Sequence, residues 1–234
     1  MTTTEATPAK KGGALRDTVI VLAVALLLSV LTRTYLAQAF YVPSGSMIPT
    51  LQINDRILAS KLTGSGVVRG DIVVFTDPGG WLPPAVPQSG LGGAVRGGLT
   101  FIGLLPSDAD DNLVKRVIGL GGDRVACCDK QGRITVNGQP LDEPYLAPGG
   151  TEQVEFDVVV PEGRMFVMGD NRGHSEDSRF HLQVAEGSVP LADVVGPVFA
   201  TVWPISRWEG HSPPPTFATI PAPSQPPPAR AGSG

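Results

Sequence analysis

The stretch Tyr41-Val42-Pro43-Ser44-Gly45-Ser46-Met47-Ile48-Pro49-Thr50-Leu51 holds two serines between two prolines. Each proline fixes its own φ and favours an extended conformation in the residue before it. Gly45 can adopt backbone angles that other residues rarely adopt. The pattern therefore predicts a stiff, exposed turn at the end of an extended run, which could present a serine as a nucleophile. An ordinary Ser/Pro/Gly turn is the alternative that this stretch alone leaves open.

Short β-branched segments bounded by glycine follow this turn and predict an all-β body. One of them, residues 133–141, contains an Asn137-Gly138 pair between β-formers, which is a strong signal for a hairpin. The strand segments are residues 56–59, 67–75, 113–119, 133–141, 155–160, 165–168 and 194–203.

An unbroken apolar run, VIVLAVALLLSVL, occupies residues 19–31. As a helix it would extend roughly 20 Å, short of the roughly 30 Å hydrocarbon core of a bilayer, unless neighbouring apolar residues lengthen it. One hypothesis is a single transmembrane anchor over residues 14–40, preceded by a disordered cytoplasmic segment, residues 1–13. A cleavable secretory signal that ends at Ala37-Gln38-Ala39 is the second hypothesis, and a buried core helix is the third.

The charges beside this run indicate its orientation in either membrane hypothesis. Lys10, Lys11 and Arg16 lie on its N-terminal side. Basic residues remain on the cytoplasmic side of a membrane, so we expect everything after Phe40 to be extracellular.

The composition excludes several classes of protein. The net charge of −4 and the lack of a basic cluster argue against a nucleic-acid partner. Proline-rich sequence predicts a disordered tail over residues 209–234, and residues 77–111 are interpreted as a long Gly/Pro-rich loop. Cys127 and Cys128 are adjacent, and two cysteines make neither a disulfide framework nor a zinc site. We therefore expect two structural or incidental thiols and no metal.

Two polar features interrupt apolar segments. Lys115 lies within a strand, where a lysine either faces water or has a chemical task. The polar loop at residues 169–179 follows an apolar strand directly, and such loops are either solvated turns or parts of a site. The sequence has no G-x-S-x-G and no Ser-x-x-Lys, and nothing in it brings His174 or His181 near the serine turn.

Four motifs in order give the chain a resemblance to bacterial type I signal peptidases, which are membrane-bound leader peptidases with a Ser/Lys dyad. The motifs are residues 43–51 (PSGSMIPTL), 69–73 (RGDIV), 115–123 (KRVIGLGGD) and 169–179 (GDNRGHSEDSR). The resemblance extends from about Asp17 to Trp208. Any one motif would be weak, whereas all four in this order are specific.

The resemblance implies roles for residues near the turn. Ser46 would be the nucleophile and Lys115 the general base. Ser44 would donate its hydroxyl to the oxyanion hole, beside the backbone N–H of Ser46. Met47, with apolar neighbours, would line shallow pockets for small side chains.

The resemblance also implies a support for the lysine. Ser175 would orient its amine, and Asp177 and Arg179 would form an ion pair that holds the loop. A base must be neutral, yet a free lysine has a pKa of about 10.4, so only about one in 2,500 is neutral at pH 7. Burial among apolar groups lowers the pKa of a lysine, whereas a nearby carboxylate raises it. We therefore expect Asp177 to pair with Arg179 rather than with Lys115.

The fold and function that the resemblance implies are those of a serine endopeptidase. The fold would be an antiparallel β-sheet catalytic domain over residues 41–208, with a small inserted β lobe at 124–163. The substrates would be exported preproteins cut after Ala-x-Ala, a pattern that Ala37-Gln38-Ala39 shares, so self-cleavage there is possible. Membrane lipid is the other expected partner, and we expect a monomer without a cofactor. A tethered β-domain that binds peptides without cleaving them, and a secreted β-protein, are the alternatives.

Overall fold

The computed structural model describes residues 11–62, 66–82, 112–149 and 154–223. Helix α1 spans Lys11–Tyr35, and within it the side chains of residues 16–31 are described. The strands of the described residues are β1 Ala37–Tyr41, β2 Arg56–Ser60, β3 Ile72–Thr76, β4 Asn112–Leu120, β5 Arg124–Cys127, β6 Thr135–Val136, β7 Gln139–Pro140, β8 Phe156–Val159, β9 Arg164–Met168, β10 Val189–Pro190, β11 Val194–Trp203 and β12 Glu209–Gly210.

These strands form two antiparallel sheets, so the predicted all-β fold is confirmed. The larger sheet has the order β1-β2-β11-β3-β4-β9-β10, and β12 pairs with β11. The smaller sheet has the order β7-β6-β5-β8. The chain passes from the larger to the smaller sheet at the end of β4 and returns through β9.

The larger sheet is covered on both faces, and strand β3 shows why its sequence is almost continuously apolar. Successive side chains of a strand point to opposite faces. Ile72 and Val74 therefore pack in one buried cluster with Met47, while Val73 and Phe75 pack in another with Trp81. A strand buried on both faces reads as an apolar run instead of an alternating one.

The Asn-Gly hairpin is present in the smaller sheet. Asn137 and Gly138 have φ angles of 53° and 79° and connect β6 to β7. Only a pair of residues that tolerates left-handed angles can make such a two-residue turn, which is why the sequence identified it.

The N-terminal region differs from the prediction at its C-terminal end. The chain leaves the helical conformation at Leu36, and Ala37–Tyr41 pairs in register with β2, so the predicted anchor over residues 14–40 includes a strand. The apolar side chains of the described part of α1 are largely exposed, which contradicts a buried core helix. Within the described residues, no helix combines the length and the apolar character needed to span a membrane. The transmembrane anchor therefore stays a prediction.

The predicted disordered tail is wrong for residues 209–223. Strand β12 pairs with β11, and a 3₁₀ helix follows at Pro215–Thr219. Phe217 and Ile220 are buried against the smaller sheet and the end of β4. Prolines restrict the backbone in advance, so a few buried apolar side chains are enough to hold the segment in place. The remainder of the predicted tail, residues 224–234, lies outside the described residues.

Two other expectations concern the lobe and the long loop. Cys127 and Cys128 form a disulfide in the structure, where two structural or incidental thiols were expected. Of the Gly/Pro-rich loop at residues 77–111, the structure describes residues 77–82, and residues 83–111 lie outside the described part.

Candidate active site

The serine turn is held by burial at one end and by backbone hydrogen bonds at the other. Val42 donates its N–H to Asp55 O, and Asn54 donates its N–H to Val42 O. These two bonds join the residue before the turn to the segment after it. Met47 and Leu51 are fully buried and anchor its C-terminal half. Ser46 is consequently presented on a fixed backbone.

Asn171 holds the backbone of the serine turn, a role that the sequence analysis did not predict. Its side-chain amide donates to Gly45 O at 2.9 Å, and its backbone N–H donates to Ser46 O at 3.0 Å. Asn171 belongs to the motif at residues 169–179, but the motif does not show that it contacts these carbonyls. It couples the backbone of Gly45 and Ser46 to the polar loop that follows β9.

Lys115 and Ser46 are brought together although they are 69 residues apart in the sequence. The Nζ atom of Lys115 lies 2.7 Å from the Oγ atom of Ser46. Lys115 projects from β4, opposite Val73 of β3, and its side chain is 3% exposed. This pair can transfer a proton from a hydroxyl to an amine if the amine is neutral.

Burial lowers the pKa of Lys115 from 10.5 to about 8, because the charged ammonium form loses its hydration. The carboxylates of Asp177, Asp170 and Glu176 raise the pKa of this amine, and the guanidinium of Arg179 lowers it. The effect of burial is the largest, so the neutral amine becomes accessible near neutral pH.

Asp177 is the centre of the polar loop. Its carboxylate accepts hydrogen bonds from Arg179 Nε at 2.8 Å, from Arg179 Nη2 at 2.9 Å and from the backbone N–H of Gly169 at 2.9 Å. Asp177 and Arg179 therefore form the buried pair that was expected. The pairing keeps the acceptor atoms of Asp177 occupied by Arg179 and Gly169.

Ser175 lies in the same loop, but its partner differs from the expected one. Its hydroxyl donates to Asp177 Oδ2 at 2.8 Å, and among the described residues it has no hydrogen bond to Lys115. A carboxylate two residues away is a stronger acceptor than an amine that is largely protonated at neutral pH. The role of Ser175 in orienting the amine stays a prediction.

A small, mostly apolar cleft of about 90 Å³ opens beside the Ser46–Lys115 pair. Ser44 and Met47 both lie in its lining, and Ser44 Oγ is 3.4 Å from Ser46 Oγ. The cleft is lined by Phe40, Tyr41, Val42, Pro43, Ser44, Ser46, Met47, Val74, Leu82, Asn112, Leu113, Val114 and Lys115. Its walls are thus the end of β1, the serine turn and the first half of β4, together with Val74 of β3 and Leu82.

The family model described as "Signal peptidase, peptidase S26" matches residues 15–203. The chain belongs to this signal peptidase family. A "Signal peptidase I" from Mycobacterium tuberculosis is 40% identical over 233 residues, which cover 88% of this chain and 78% of that protein. A "Probable signal peptidase I" from Mycobacterium leprae is 38% identical over 234 residues, which cover 86% of this chain and 80% of that protein. A signal peptidase I crystal structure from Enterococcus faecalis V583 is 26% identical, covers 56% of this chain and 95% of that chain, and has a TM-score of 0.36.

Signal peptidases cleave signal peptides from preproteins, and the predicted function is confirmed at this level. The assignment to the family favours a peptidase over a tethered domain that only binds peptides. It also disfavours the secreted β-protein, because the matched region includes most of helix α1.

Two further buried ion pairs of the signal peptidase site were missed by the sequence analysis. Arg116 contacts Asp170 through Nε–Oδ1 at 2.8 Å and Nη2–Oδ2 at 2.6 Å. Arg172 pairs with Glu143, which comes from the segment between β7 and β8 of the smaller sheet, and also donates to Gly169 O at 3.1 Å. Arg116, Asp170 and Arg172 lie in the motifs at residues 115–123 and 169–179, whereas no sequence signal marks Glu143. Together the pairs hold the residues on either side of Asn171.

Proposed function

We propose that this signal peptidase cuts preproteins after small residues such as Ala-x-Ala, with Ser46 as the nucleophile and Lys115 as the general base. The observation that supports the proposal is the 2.7 Å contact between Lys115 Nζ and Ser46 Oγ in a buried setting that lowers the pKa of the amine to about 8. A neutral amine at this distance can accept the hydroxyl proton.

The acylation step follows from these two groups. Lys115 Nζ takes the proton of Ser46 Oγ as that oxygen attacks the scissile carbonyl carbon. The backbone N–H of Ser46 and the hydroxyl of Ser44 donate to the resulting oxyanion, each a contribution commonly worth about 3–4 kcal/mol. Lys115 then gives its proton to the leaving amine, and an acyl ester remains on Ser46.

The deacylation step reverses the order. Neutral Lys115 removes a proton from a water molecule, which attacks the ester carbonyl. The C–O bond to Ser46 breaks, Ser46 Oγ receives the proton back, and the signal peptide leaves with a free carboxylate. The small apolar cleft favours a small side chain next to the scissile bond, where Met47 forms part of the wall.

We also propose that helix α1 anchors the enzyme in the membrane, with the catalytic domain on the extracellular side. The proposal is supported by exposed apolar side chains along α1, among them Val21, Leu22 and Leu27. Strand β1 begins two residues after α1 ends, so the nucleophile would work close to the lipid surface, where the substrate's own apolar segment lies.

Cleavage of an Ala-x-Ala preprotein by the full chain in detergent tests the dyad. Ser46→Ala and Lys115→Met should each abolish cleavage, since one removes the attacking atom and the other removes the base. Lys130→Met, at an exposed lysine of the smaller lobe, is the matched control and should leave cleavage unchanged. Cleavage that survives Lys115→Met would refute the role of the lysine but not the peptidase activity.

A further inference from the structure

Asp77 builds a tight turn directly after β3, at the start of the Gly/Pro-rich loop. Its Oδ1 accepts the backbone N–H of Gly79 at 2.9 Å and that of Trp81 at 3.2 Å. Its Oδ2 accepts the backbone N–H of Leu82 at 3.0 Å. One carboxylate thus fixes the backbone from residue 77 to residue 82.

Trp81 locks this turn to the body of the enzyme. Its side chain is buried, and its ring meets Phe75 of β3 edge-on with centroids 6.0 Å apart. The ring also stacks on His181 at 4.4 Å between centroids, with an interplanar angle of 7°. His181 follows the loop of Asp177, so the turn is fixed both to β3 and to the loop that supports Lys115.

Leu82, the next residue, reaches the cleft of the proposed dyad. It lies in the lining together with Asn112 and Leu113, and it is half-buried. Thr76 pairs with Asn112 and Val73 with Lys115, so the turn lies at the end of β4 away from the lysine. Three strand residues separate the two positions, or roughly 10 Å at 3.3 Å per residue.

An extended substrate in this cleft presents alternate side chains to the same wall. Its first and third residues before the scissile bond point the same way, roughly 7 Å apart. With the first residue beside Ser46 and Met47, the third reaches towards Asn112 and Leu82.

We propose that Leu82 sets specificity at the third residue before the scissile bond, by occupying space that a bulky side chain would need. The inference rests on the proposed cleavage at the Ser46–Lys115 pair. A turn held by a carboxylate and by a buried tryptophan cannot move aside without losing those contacts, so Leu82 acts as a fixed wall and not as a flexible surface residue.

The test uses two peptides, one with Ala and one with Phe at the third position, both with Ala before the scissile bond. The readout is the ratio of their kcat/KM values with the full chain in detergent. Leu82→Ala should raise the relative rate on the Phe peptide about tenfold or more, since removing a few carbons from a pocket wall changes discrimination by this order. Leu82→Met, of similar volume, should keep the wild-type ratio.

Leu62→Ala is the matched control, because Leu62 is an exposed leucine that is not part of the cleft. It should leave the ratio at the wild-type value. A change that merely loosened the fold would lower both rates together and would not move the ratio. An unchanged ratio in Leu82→Ala would overturn the inference while leaving the dyad intact. If the wild type cleaved neither peptide, the proposed cleavage would fail, and the role of Leu82 with it.

Discussion

At the scale of single residues, the proposed role of Lys115 as the base makes activity depend on the pKa of its amine. Burial lowers that pKa to about 8, so about one tenth of the amine is neutral at pH 7. We expect kcat/KM to rise with pH through an apparent pKa near 8, gaining about tenfold between pH 7 and pH 9. Initial rates on an Ala-x-Ala peptide over this range would measure it. A profile that is flat from pH 6 to pH 9 would contradict a lysine base.

Glu176 allows a finer test of the same electrostatics. Its carboxylate raises the pKa of Lys115, although Glu176 itself is exposed. Glu176→Gln should therefore shift the rising limb of the pH profile to lower pH, and the shift should shrink at high salt. Glu186→Gln, at an exposed glutamate outside the polar loop at residues 169–179, is the control and should leave the rising limb in place. A limb that moved to higher pH would refute this assignment.

The same buried lysine should reduce the stability of the fold at neutral pH. Its folded-state pKa is lower than its ordinary value, so below pH 8 the folded protein holds a buried charge that the unfolded chain hydrates. A shift from 10.5 to about 8 corresponds to roughly 3 kcal/mol.

Lys115→Met should therefore lose activity yet raise the free energy of unfolding at pH 7. The gain should reach about 3 kcal/mol, less what the contact with Ser46 contributes. This gain in stability should shrink as the pH rises from 8 towards 10.5, because Lys115 of the folded wild type then loses its proton and its charge. Denaturant titrations at pH 7 and pH 9.5 would measure both values, and a variant less stable than wild type at pH 7 would contradict the expectation.

At this scale the sequence identified residues whose motifs are specific, and missed those defined by three-dimensional contacts. Ser46 and Lys115 each belong to a motif, and the structure brings them within 2.7 Å. The contacts of Asn171 with two backbone carbonyls depend on how the loop and the turn are oriented, which no spacing encodes. Glu143 was missed for the same reason, since its partner Arg172 lies 29 residues later in the sequence, after β8 and β9.

At the scale of elements, the strands were predictable where their environment is simple. The apolar run of β3 and the Asn137-Gly138 hairpin follow from burial and turn chemistry. Strand β1 was missed because its sequence, AQAFY, directly continues an apolar helix, and only the pairing with β2 makes it a strand. The proline-rich segment was interpreted as disordered because its order depends on a few anchors instead of a period.

Phe217 is the main anchor of that C-terminal segment. Phe217 is 5% exposed. It packs so close to Gly70 that a Cβ atom added to this glycine would lie 2.6 Å from the ring of Phe217. Phe217→Ala should lower the free energy of unfolding by about 3–5 kcal/mol, the usual cost of emptying a buried aromatic site. Thermal unfolding in detergent would measure it.

Phe199→Ala is the control, because this phenylalanine of β11 is 43% exposed and should cost much less. If the two variants unfolded alike, the segment would contribute nothing to the fold. At a temperature where it stays folded, the Phe217→Ala enzyme should keep the wild-type dependence of kcat/KM on pH. Phe217 does not line the cleft beside Lys115.

At the scale of the whole molecule, helix α1 carries apolar side chains that stay exposed among the described residues. The larger sheet buries its side chains on both faces, yet the apolar side chains of α1 remain exposed, with Leu22 at 64%. Exposed apolar surface of this extent marks a site of interaction. On a helix that packs against protein, the apolar residues form one stripe. On α1 they surround the helix, so we expect the partner to be lipid.

Vesicle flotation of the full chain tests this expectation. The wild type should float with lipid vesicles and resist extraction at alkaline pH. Leu22→Arg with Leu26→Arg should abolish both, because an arginine in the centre of a membrane helix costs about 3 kcal/mol or more. Val184→Arg with Leu191→Arg introduces the same charge at exposed apolar positions of the catalytic body, and should still float.

The same two variants separate anchoring from catalysis. Both should cleave a short soluble peptide at the wild-type rate, because neither pair of substitutions touches the cleft. On a preprotein embedded in vesicles, the α1 variant should be slower, since it loses the high local concentration that a shared membrane provides. Flotation of the α1 variant as complete as that of the wild type would show that another surface binds the lipid. Equal rates on the embedded preprotein would instead show that anchoring does not assist cleavage.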